Sequence, residues 1–155
     1  MAVEIERAFV APRVPDAALL GAGLPLRQGY VGRDTDTEIR IRIQPGAATL
    51  TIKLGRGLRR TEIELPVPAD EAELLWEHTA GRRLEKVRYR VPVDGLVADV
   101  DVFTDARLAG LCRIEVEFAS EPDAHAFVPP AWFGREVTGD PRWGNGSLAR
   151  HGRPD

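Results

Sequence analysis

The feature that most constrains the fold of this chain is a strict alternation of apolar and charged residues. In the segment TEIRIRIQ, residues 37–44, three isoleucines alternate with Glu38, Arg40 and Arg42. A period of two is typical of β-strands, because successive side chains of a strand point to opposite faces. Six further segments repeat the pattern: 3–10, 48–54, 60–65, 84–91, 97–103 and 112–118. The short segment 28–31 is expected to form an eighth strand. Turn signals that fit hairpins lie at 44–47, 55–57 and 93–95. The sequence therefore predicts an antiparallel sheet of eight strands.

Helical segments interrupt the predicted strands. Their spacing and start signals predict helices over 16–20 and 68–80, from Ser120 to the stop at Pro129, and over 140–148. A length of 155 residues, with 43% hydrophobic and 29% charged residues, fits one folded domain. We therefore predict a single domain over 1–150 and a frayed tail over 151–155.

The polar face of the predicted strands carries almost only charged side chains. The acidic members are Glu4, Glu6, Glu38, Glu62, Glu64, Asp99, Asp101, Glu115 and Glu117. The basic members are Arg40, Arg42, Lys53, Arg60, Lys86, Arg88, Arg90 and Arg113. Six pairs of the same sign stand two residues apart, where like charges lie side by side and repel each other. For one strand, a charged face turned to solvent is the simpler interpretation, but six such pairs in one chain favour a binding surface.

The two kinds of cluster suit two kinds of ligand. Clustered carboxylates suit a hard divalent cation such as Mg²⁺ or Mn²⁺. Clustered arginines and lysines suit phosphate oxygens, which arginine binds in a bidentate manner. Both on one surface favour a polyphosphate bridged by metal, as in phosphoryl transfer or hydrolysis. If the strands close into a barrel with this face inside, the charges are focused further.

Composition excludes several other classes of protein. The chain has 21 Lys and Arg against 24 Asp and Glu, a net charge of −3, whereas a general binder of nucleic acid or membrane surfaces is usually basic. Cys112 is the only cysteine, so no internal disulfide or cysteine-based zinc cluster is expected. The charged N-terminal segment and the lack of a long apolar run predict a cytoplasmic protein without a signal peptide or membrane span.

Eight segments of the chain resemble a known family. They are EIERAF (4–9), LRQGYV (26–31), TEIRIRI (37–43), LTIKLGRGLRRTEIELPV (50–67), GRRLEKVRY (81–89), DVDVF (99–103), IEVEF (114–118) and PPAWFGREVTGDPRWGN (129–145). In this order they resemble the CYTH family of triphosphate tunnel metalloenzymes, in its short bacterial form. The resemblance implies an α+β fold: an eight-stranded antiparallel β-barrel, the triphosphate tunnel, with a few helices packed outside and at the C-terminus. It also implies metal-dependent hydrolysis of inorganic triphosphate or a related triphosphate compound inside the charged tunnel.

The same resemblance assigns roles to individual residues. It implies an Mg²⁺ or Mn²⁺ site formed by Glu4, Glu6, Asp99, Asp101, Glu115 and Glu117. It implies phosphate binding by Arg40, Arg42, Lys53, Arg60, Lys86 and Arg88. Glu62 and Glu64 match carboxylates that help to place a second metal or the attacking water.

One position departs from the family signature ExExK. Its first two carboxylates are Glu4 and Glu6, but the lysine is replaced by Ala8. Tyr30, which can lie near that lysine in related proteins, is retained, and the resemblance implies a catalytic role for it. A hypothesis follows: Arg113 supplies the missing cation from the neighbouring strand. The hypothesis assumes the register Glu4–Glu117, Glu6–Glu115 and Ala8–Arg113.

The missing lysine leaves alternatives open. One is a barrel that binds polyphosphate or nucleotide without catalysis, since binding needs only the basic residues. Another is an adenylate cyclase of class IV type, which ranks lower because nothing in the sequence indicates recognition of an adenine base. The expected partner is a small triphosphate substrate, with no nucleic acid and no membrane, and the protein is expected to be a monomer or a homodimer.

Overall fold

Eight antiparallel strands close into a barrel in the computed structural model, which describes residues 2–154. The strands are β1 Ala2–Val10, β2 Gly23–Arg33, β3 Thr37–Gln44, β4 Ala47–Leu54, β5 Arg59–Pro66, β6 Arg83–Val93, β7 Leu96–Phe103 and β8 Cys112–Glu117. Their order is β5-β4-β3-β2-β6-β7-β8-β1, and pairing of β1 with β5 closes the ring. A two-residue strand, β9 Arg135–Glu136, pairs with the last residues of β1. The predicted eight-stranded antiparallel barrel is confirmed.

Strand β2 is much longer than the predicted segment 28–31. It contains Gly23, Pro25, Gly29 and Gly32, residue types that are poor in strands and hide it from a propensity argument. Pairing with β3 on one side and β6 on the other holds it extended over its length. The glycines also allow close packing: a side chain on Gly29 would collide with Thr79.

Four short helices lie outside the barrel in the part of the chain from residue 2 to residue 154. They are α1 Ala17–Leu20, α2 Ala69–Glu77, α3 Glu121–Ala126 and α4 Asn145–His151, with 3₁₀ turns at Ala131–Phe133 and Pro141–Trp143. The single helix predicted over 140–148 is wrong, because Gly144 adopts an extended conformation that separates the second 3₁₀ turn from α4. His151, placed in the frayed tail by the sequence prediction, ends α4, and the Gly152 N–H donates to the Leu148 carbonyl. Asp155 lies outside the described residues.

The barrel wall packs against the chain that follows β8. Phe9, Ile114 and Val116 lie on the outer face of β1 and β8 and are fully or almost fully buried. Phe133 covers them, with its ring centroid 5.1 Å from that of Phe9. This packing fixes β1 and β8 side by side, and both strands carry acidic residues on their other face.

One end of the barrel interior is filled with apolar side chains. Tyr30, Leu84 and Phe103 are buried in one cluster with Trp143 and Leu148 from the C-terminal segments. Leu84 and Phe103 share the inner face with charged residues two positions away, because alternate residues of a strand point the same way. The apolar cluster therefore closes one end of the barrel and leaves the charged part open at the other.

Candidate active site

The open part of the barrel contains a cavity of about 490 Å³. Twelve charged side chains line it: Glu4, Glu6, Arg40, Arg42, Lys53, Glu62, Glu64, Arg88, Arg90, Asp99, Glu115 and Glu117. Val97, Phe118 and Ala119 complete the lining. Eleven of these charged residues are among the sixteen site residues predicted from the sequence, and the alternating charged face of the strands turns inward.

The cavity is divided by charge because of the strand order. Four neighbouring strands, β7, β8, β1 and β5, carry the carboxylates of what we call the acidic side: Asp99, Glu115, Glu117, Glu4, Glu6, Glu62 and Glu64. Of the other four strands, β4, β3 and β6 carry the cations of what we call the basic side: Lys53, Arg40, Arg42, Arg88 and Arg90. A bound molecule in the cavity therefore meets carboxylates on one side and cations on the other.

Carboxylates crowd together on the acidic side. Glu6 stands directly opposite Glu117 in the pairing of β1 with β8, where two like charges repel each other. Burial raises the pKa of Glu117, and the nearby charges of Glu4 and Glu62 raise it further. Hard oxygen donors in this number suit Mg²⁺ or Mn²⁺, so the donor set fits a divalent metal. Among residues 2–154, however, no three acidic, histidine or cysteine side chains stand in an arrangement that would hold a metal ion unchanged.

Lys53 neutralises part of this acidic side. Its Nζ lies 2.9 Å from Oε2 of Glu4, 3.4 Å from Oε2 of Glu62 and 4.0 Å from Oε1 of Glu6. The side chain is only 8% exposed, so little water screens these contacts. Lys53, predicted to hold phosphate, is thus bound to carboxylates.

The basic side is arranged to receive an anion. The Nε of Arg40 is buried and has no hydrogen-bond partner within the described part of the chain. Burial, together with the charges of Arg40 and Arg88, lowers the pKa of Arg42 to about 9. Arg42 is oriented by its Nε, which donates to Oε1 of Gln28 at 3.1 Å. Crowded guanidinium groups of this kind are relieved by phosphate oxygens, which also match their geometry.

A buried ion cluster lies beneath the basic side. Lys86 Nζ is 2.6 Å from Oδ2 of Asp101, and their side chains are 0% and 1% exposed. Arg88 donates to both oxygens of Asp101, at 2.8 and 2.9 Å. Burial alone would raise the pKa of Asp101, but attraction to Lys86 and Arg88 outweighs it and holds that pKa well below its usual range. Asp101 therefore anchors Arg88, which lines the cavity, while Lys86 and Asp101 do not line it.

Tyr30 is also behind the cavity wall. It is fully buried, and Nε2 of Gln28 donates to its hydroxyl at 3.1 Å. Burial raises the pKa of Tyr30 to about 12, so the hydroxyl stays protonated at neutral pH. The catalytic role predicted for Tyr30 stays a prediction. In the structure, Tyr30 is linked to the cavity by two hydrogen bonds, from Gln28 to its hydroxyl and from Arg42 to Gln28.

The register assumed for β1 and β8 is wrong by two residues. Glu6 faces Glu117 and Ala8 faces Glu115, while Arg113 faces Val10. Arg113 is nevertheless close by, because its Nη1 donates to Glu115, the residue opposite Ala8. Its Nε donates to the carbonyl of Trp143 at 2.9 Å, which ties it to the apolar end of the barrel.

A second opening continues the cavity. A space of about 190 Å³ shares Glu6, Arg40, Lys53 and Glu115 with the main cavity. Arg60 and Arg113, both predicted site residues, line this second space. The two spaces therefore adjoin each other at these four shared residues.

One charged residue of the cavity lining was absent from the predicted site. Arg90 follows Lys86 and Arg88 in the same alternation on β6, and its Nε lies 3.5 Å from Oδ1 of Asp99. Its side chain is 73% exposed, which places it at the mouth. The alternation alone could have extended the basic side to this residue.

Comparison with known proteins gives relatives over almost the whole chain. The chain is 46% identical over 149 residues to a protein of Nitrosomonas europaea named inorganic triphosphatase, covering 94% of this chain and 96% of that protein. A protein of Acetivibrio thermocellus with the same name is 37% identical over 155 residues, covering 97% and 96%. A solved structure described as the inorganic triphosphatase NE1496 is 41% identical, with a TM-score of 0.71 and coverage of 99% of both chains. No family model matches the sequence. Within residues 2–154, no helix is both long enough and apolar enough to cross a membrane.

Proposed function

The chain belongs to the CYTH family of triphosphate tunnel metalloenzymes, and we propose that it hydrolyses inorganic triphosphate or a closely related triphosphate compound. The observation that carries the proposal is the division of one cavity into an acidic and a basic side. The basic side matches the oxygens of a linear triphosphate, and the acidic side matches the divalent cation that accompanies such a polyanion. Relatives named inorganic triphosphatase support the same activity.

The metal is part of this proposal. Glu4, Glu6 and Glu117 would hold Mg²⁺ or Mn²⁺, with Asp99 and Glu115 beside them, because these carboxylates line the acidic side. A bound divalent ion supplies charge neutralisation for phosphoryl oxygens. Asp101, predicted as a metal ligand, is already paired with two cations, which favours a structural role for it.

The chain's own residues do the rest. Arg40, Arg42 and Arg88 bind the phosphate oxygens and stabilise the negative charge that develops during the reaction. A water molecule oriented by Glu62 or Glu64 attacks the terminal phosphorus, and its proton passes to a carboxylate. The bond to the bridging oxygen breaks, so that one triphosphate and one water give pyrophosphate and phosphate.

Phosphate release from tripolyphosphate, with and without Mg²⁺ or Mn²⁺, tests the proposal. We expect turnover only with metal, and its loss in Glu117→Gln. Tight binding of tripolyphosphate without turnover would instead favour the non-catalytic barrel that Ala8 raised as an alternative. Incubation with ATP, followed by measurement of cyclic AMP, tests the cyclase alternative, for which we expect no product.

Arg113 is the candidate for the cation that Ala8 does not supply. It contacts Glu115 opposite Ala8 and lines the second opening of the cavity. We expect Arg113→Met to lower kcat/KM and Arg113→Lys to retain more of it, since the lysine keeps the charge. Equal loss in both would argue for a structural contact with Trp143 instead.

We also propose that the protein acts on a small molecule in the cytoplasm, as a monomer or a homodimer, without nucleic acid or membrane. The support is that Arg40, Arg42 and Arg88, the closely spaced cations of the basic side, line the cavity inside the barrel, where a nucleic acid duplex or a bilayer has no access. Binding of a DNA duplex that survives excess tripolyphosphate would contradict this.

A further inference from the structure

Lys53 lies on a strand of the basic side, but its side chain contacts carboxylates of the acidic side. Its backbone lies on β4, next to β3, which carries Arg40 and Arg42. On its other side β4 pairs with β5, where Glu62 stands opposite Lys53. The ammonium contacts Glu62 and, one strand further on, Glu4 of β1. None of the other cations that line the cavity forms an ion pair with Glu4, Glu6 or Glu62 in the described chain.

The carboxylates around Lys53 are spaced for an ammonium group. Oxygens of Glu4, Glu62 and Glu6 lie 2.9, 3.4 and 4.0 Å from Nζ. Ligands of Mg²⁺ lie at about 2.0–2.1 Å, so the same oxygens would have to move inward to bind it. This agrees with the lack, among residues 2–154, of a carboxylate group already arranged for a metal.

We propose that Lys53 is a displaceable cation, which occupies the metal-binding carboxylates in the free protein and moves to the basic side when a divalent ion binds. The inference rests on the proposed function, since it concerns the same metal site. A divalent ion and an ammonium bound to the same carboxylates repel each other, so binding of the divalent ion weakens the contacts of Lys53 with Glu4 and Glu6. On release, the lysine swings toward Arg40 and adds a positive charge where the phosphate binds.

The choice of lysine supports this role. Only two of the 21 basic residues in the chain are lysines, Lys53 and Lys86. Lysine carries a compact charge on a flexible four-carbon chain, whereas the planar guanidinium of arginine makes fixed, paired contacts. A cation that must change partners is better served by the flexible group.

The exchange links metal and phosphate binding. Because the metal frees a cation for the phosphate, each ligand is expected to raise the affinity for the other by the same factor. A lysine fixed on the acidic side would give no such contribution.

Calorimetric titration of the whole protein with Mg²⁺ alone tests the proposal without activity. Lys53→Met removes the competing cation, and Arg40→Met is the matched control, because it removes one positive charge from the same cavity without removing a carboxylate contact. We expect Lys53→Met to bind Mg²⁺ about tenfold more tightly than the wild type. We expect Arg40→Met to raise the affinity for Mg²⁺ less than threefold, because it changes only the electrostatic potential in the cavity.

Nuclear magnetic resonance of the wild-type protein tests the same point without a variant that could misfold. With isotope-labelled lysine only two Nζ groups report, and Lys86, fully buried against Asp101, serves as the internal reference. We expect Mg²⁺ to shift and mobilise the Lys53 signal along the calorimetric binding curve while the Lys86 signal stays in place.

The outcomes separate this inference from the function on which it rests. If Mg²⁺ binds but Lys53→Met gains no more affinity than Arg40→Met, or the Lys53 signal keeps its mobility, the displacement is refuted and the metal site stands. If neither the wild type nor a variant binds Mg²⁺ or Mn²⁺, the metal site itself fails and the displacement fails with it.

Discussion

At the scale of single residues, the most consequential contact is the one made by Asp101. This carboxylate holds Lys86 beneath the cavity and anchors Arg88, which lines it, and the Lys86 and Asp101 side chains are almost completely removed from water. Deleting one partner of a buried ion cluster leaves the others without compensation. We expect Asp101→Asn to lower the free energy of unfolding by about 3–5 kcal/mol, measured by urea denaturation at pH 7. Asp140→Asn, which breaks the exposed pair with Arg142, should change stability little.

The same carboxylate sets a pH dependence. Since the pKa of Asp101 is lowered on folding, its contribution is fully present above the unfolded pKa near 4 and is lost as pH falls further. The wild type should therefore lose stability below about pH 4 more steeply than Asp101→Asn. If the free energy of unfolding fell equally steeply with pH in the two proteins, Asp101 would not be the source of the acid sensitivity.

Tyr30 gives a second prediction at this scale. Its hydroxyl accepts from Gln28, which in turn accepts from Arg42, and the ring is buried away from the cavity. Removing the hydroxyl leaves a buried amide N–H without its acceptor, which costs about 1–3 kcal/mol. We expect Tyr30→Phe to lower stability by that amount and to change kcat less than threefold. A hundredfold fall in kcat with unchanged stability would show instead that the hydroxyl takes part in the reaction.

At the scale of elements, alternation predicted which face of each strand turns inward but not how the strands are aligned. A slip of one residue exchanges the two faces, whereas a slip of two residues keeps every side chain on its face. The register assumed for β1 and β8 was wrong by two residues, an error that the hydrophobic pattern is unable to reveal. Strand β2 was underestimated for another reason, since its glycines and proline are held extended by two neighbours rather than by propensity.

The turn that leads into β9 gives a prediction for an element. Gly134 has φ 74°, and a side chain there would meet the backbone carbonyl of Val10 on β1. Gly152 has φ 76° with open space around it, so it shares the backbone conformation and lacks the collision. Gly152→Ala should cost about 1–3 kcal/mol from backbone strain alone. Gly134→Ala should cost clearly more, with both losses measured by thermal unfolding. Equal losses would mean that β9 moves freely away from β1.

At the scale of the whole molecule, the near-neutral net charge conceals a separation of charges inside the barrel. The sequence pattern predicted that separation, because it depends only on which strand carries which sign. It did not predict that Tyr30, Lys86 and Asp101 lie below the cavity, since depth along a strand depends on where the barrel is filled. The filling comes from Trp143 and Leu148, far along the chain, and strand periodicity carries no information about them.

The apolar cluster that closes one end of the barrel leads to a prediction about how the molecule unfolds. Leu148 on α4 is fully buried in the cluster with Tyr30 and Phe103, and Asn145 at the start of α4 accepts from Lys86 at 3.2 Å. Loss of the helix would therefore expose both the apolar cluster and the buried ion cluster, so helix and barrel should unfold together.

We expect Leu148→Ala to cost about 2–5 kcal/mol while keeping one cooperative transition in urea, followed by circular dichroism and by tryptophan fluorescence. Leu74→Ala, the same change at a helical position that is 66% exposed, should stay within about 0.5 kcal/mol of the wild type. Separate transitions for the two probes in Leu148→Ala would show that α4 is an independent lid rather than part of the barrel.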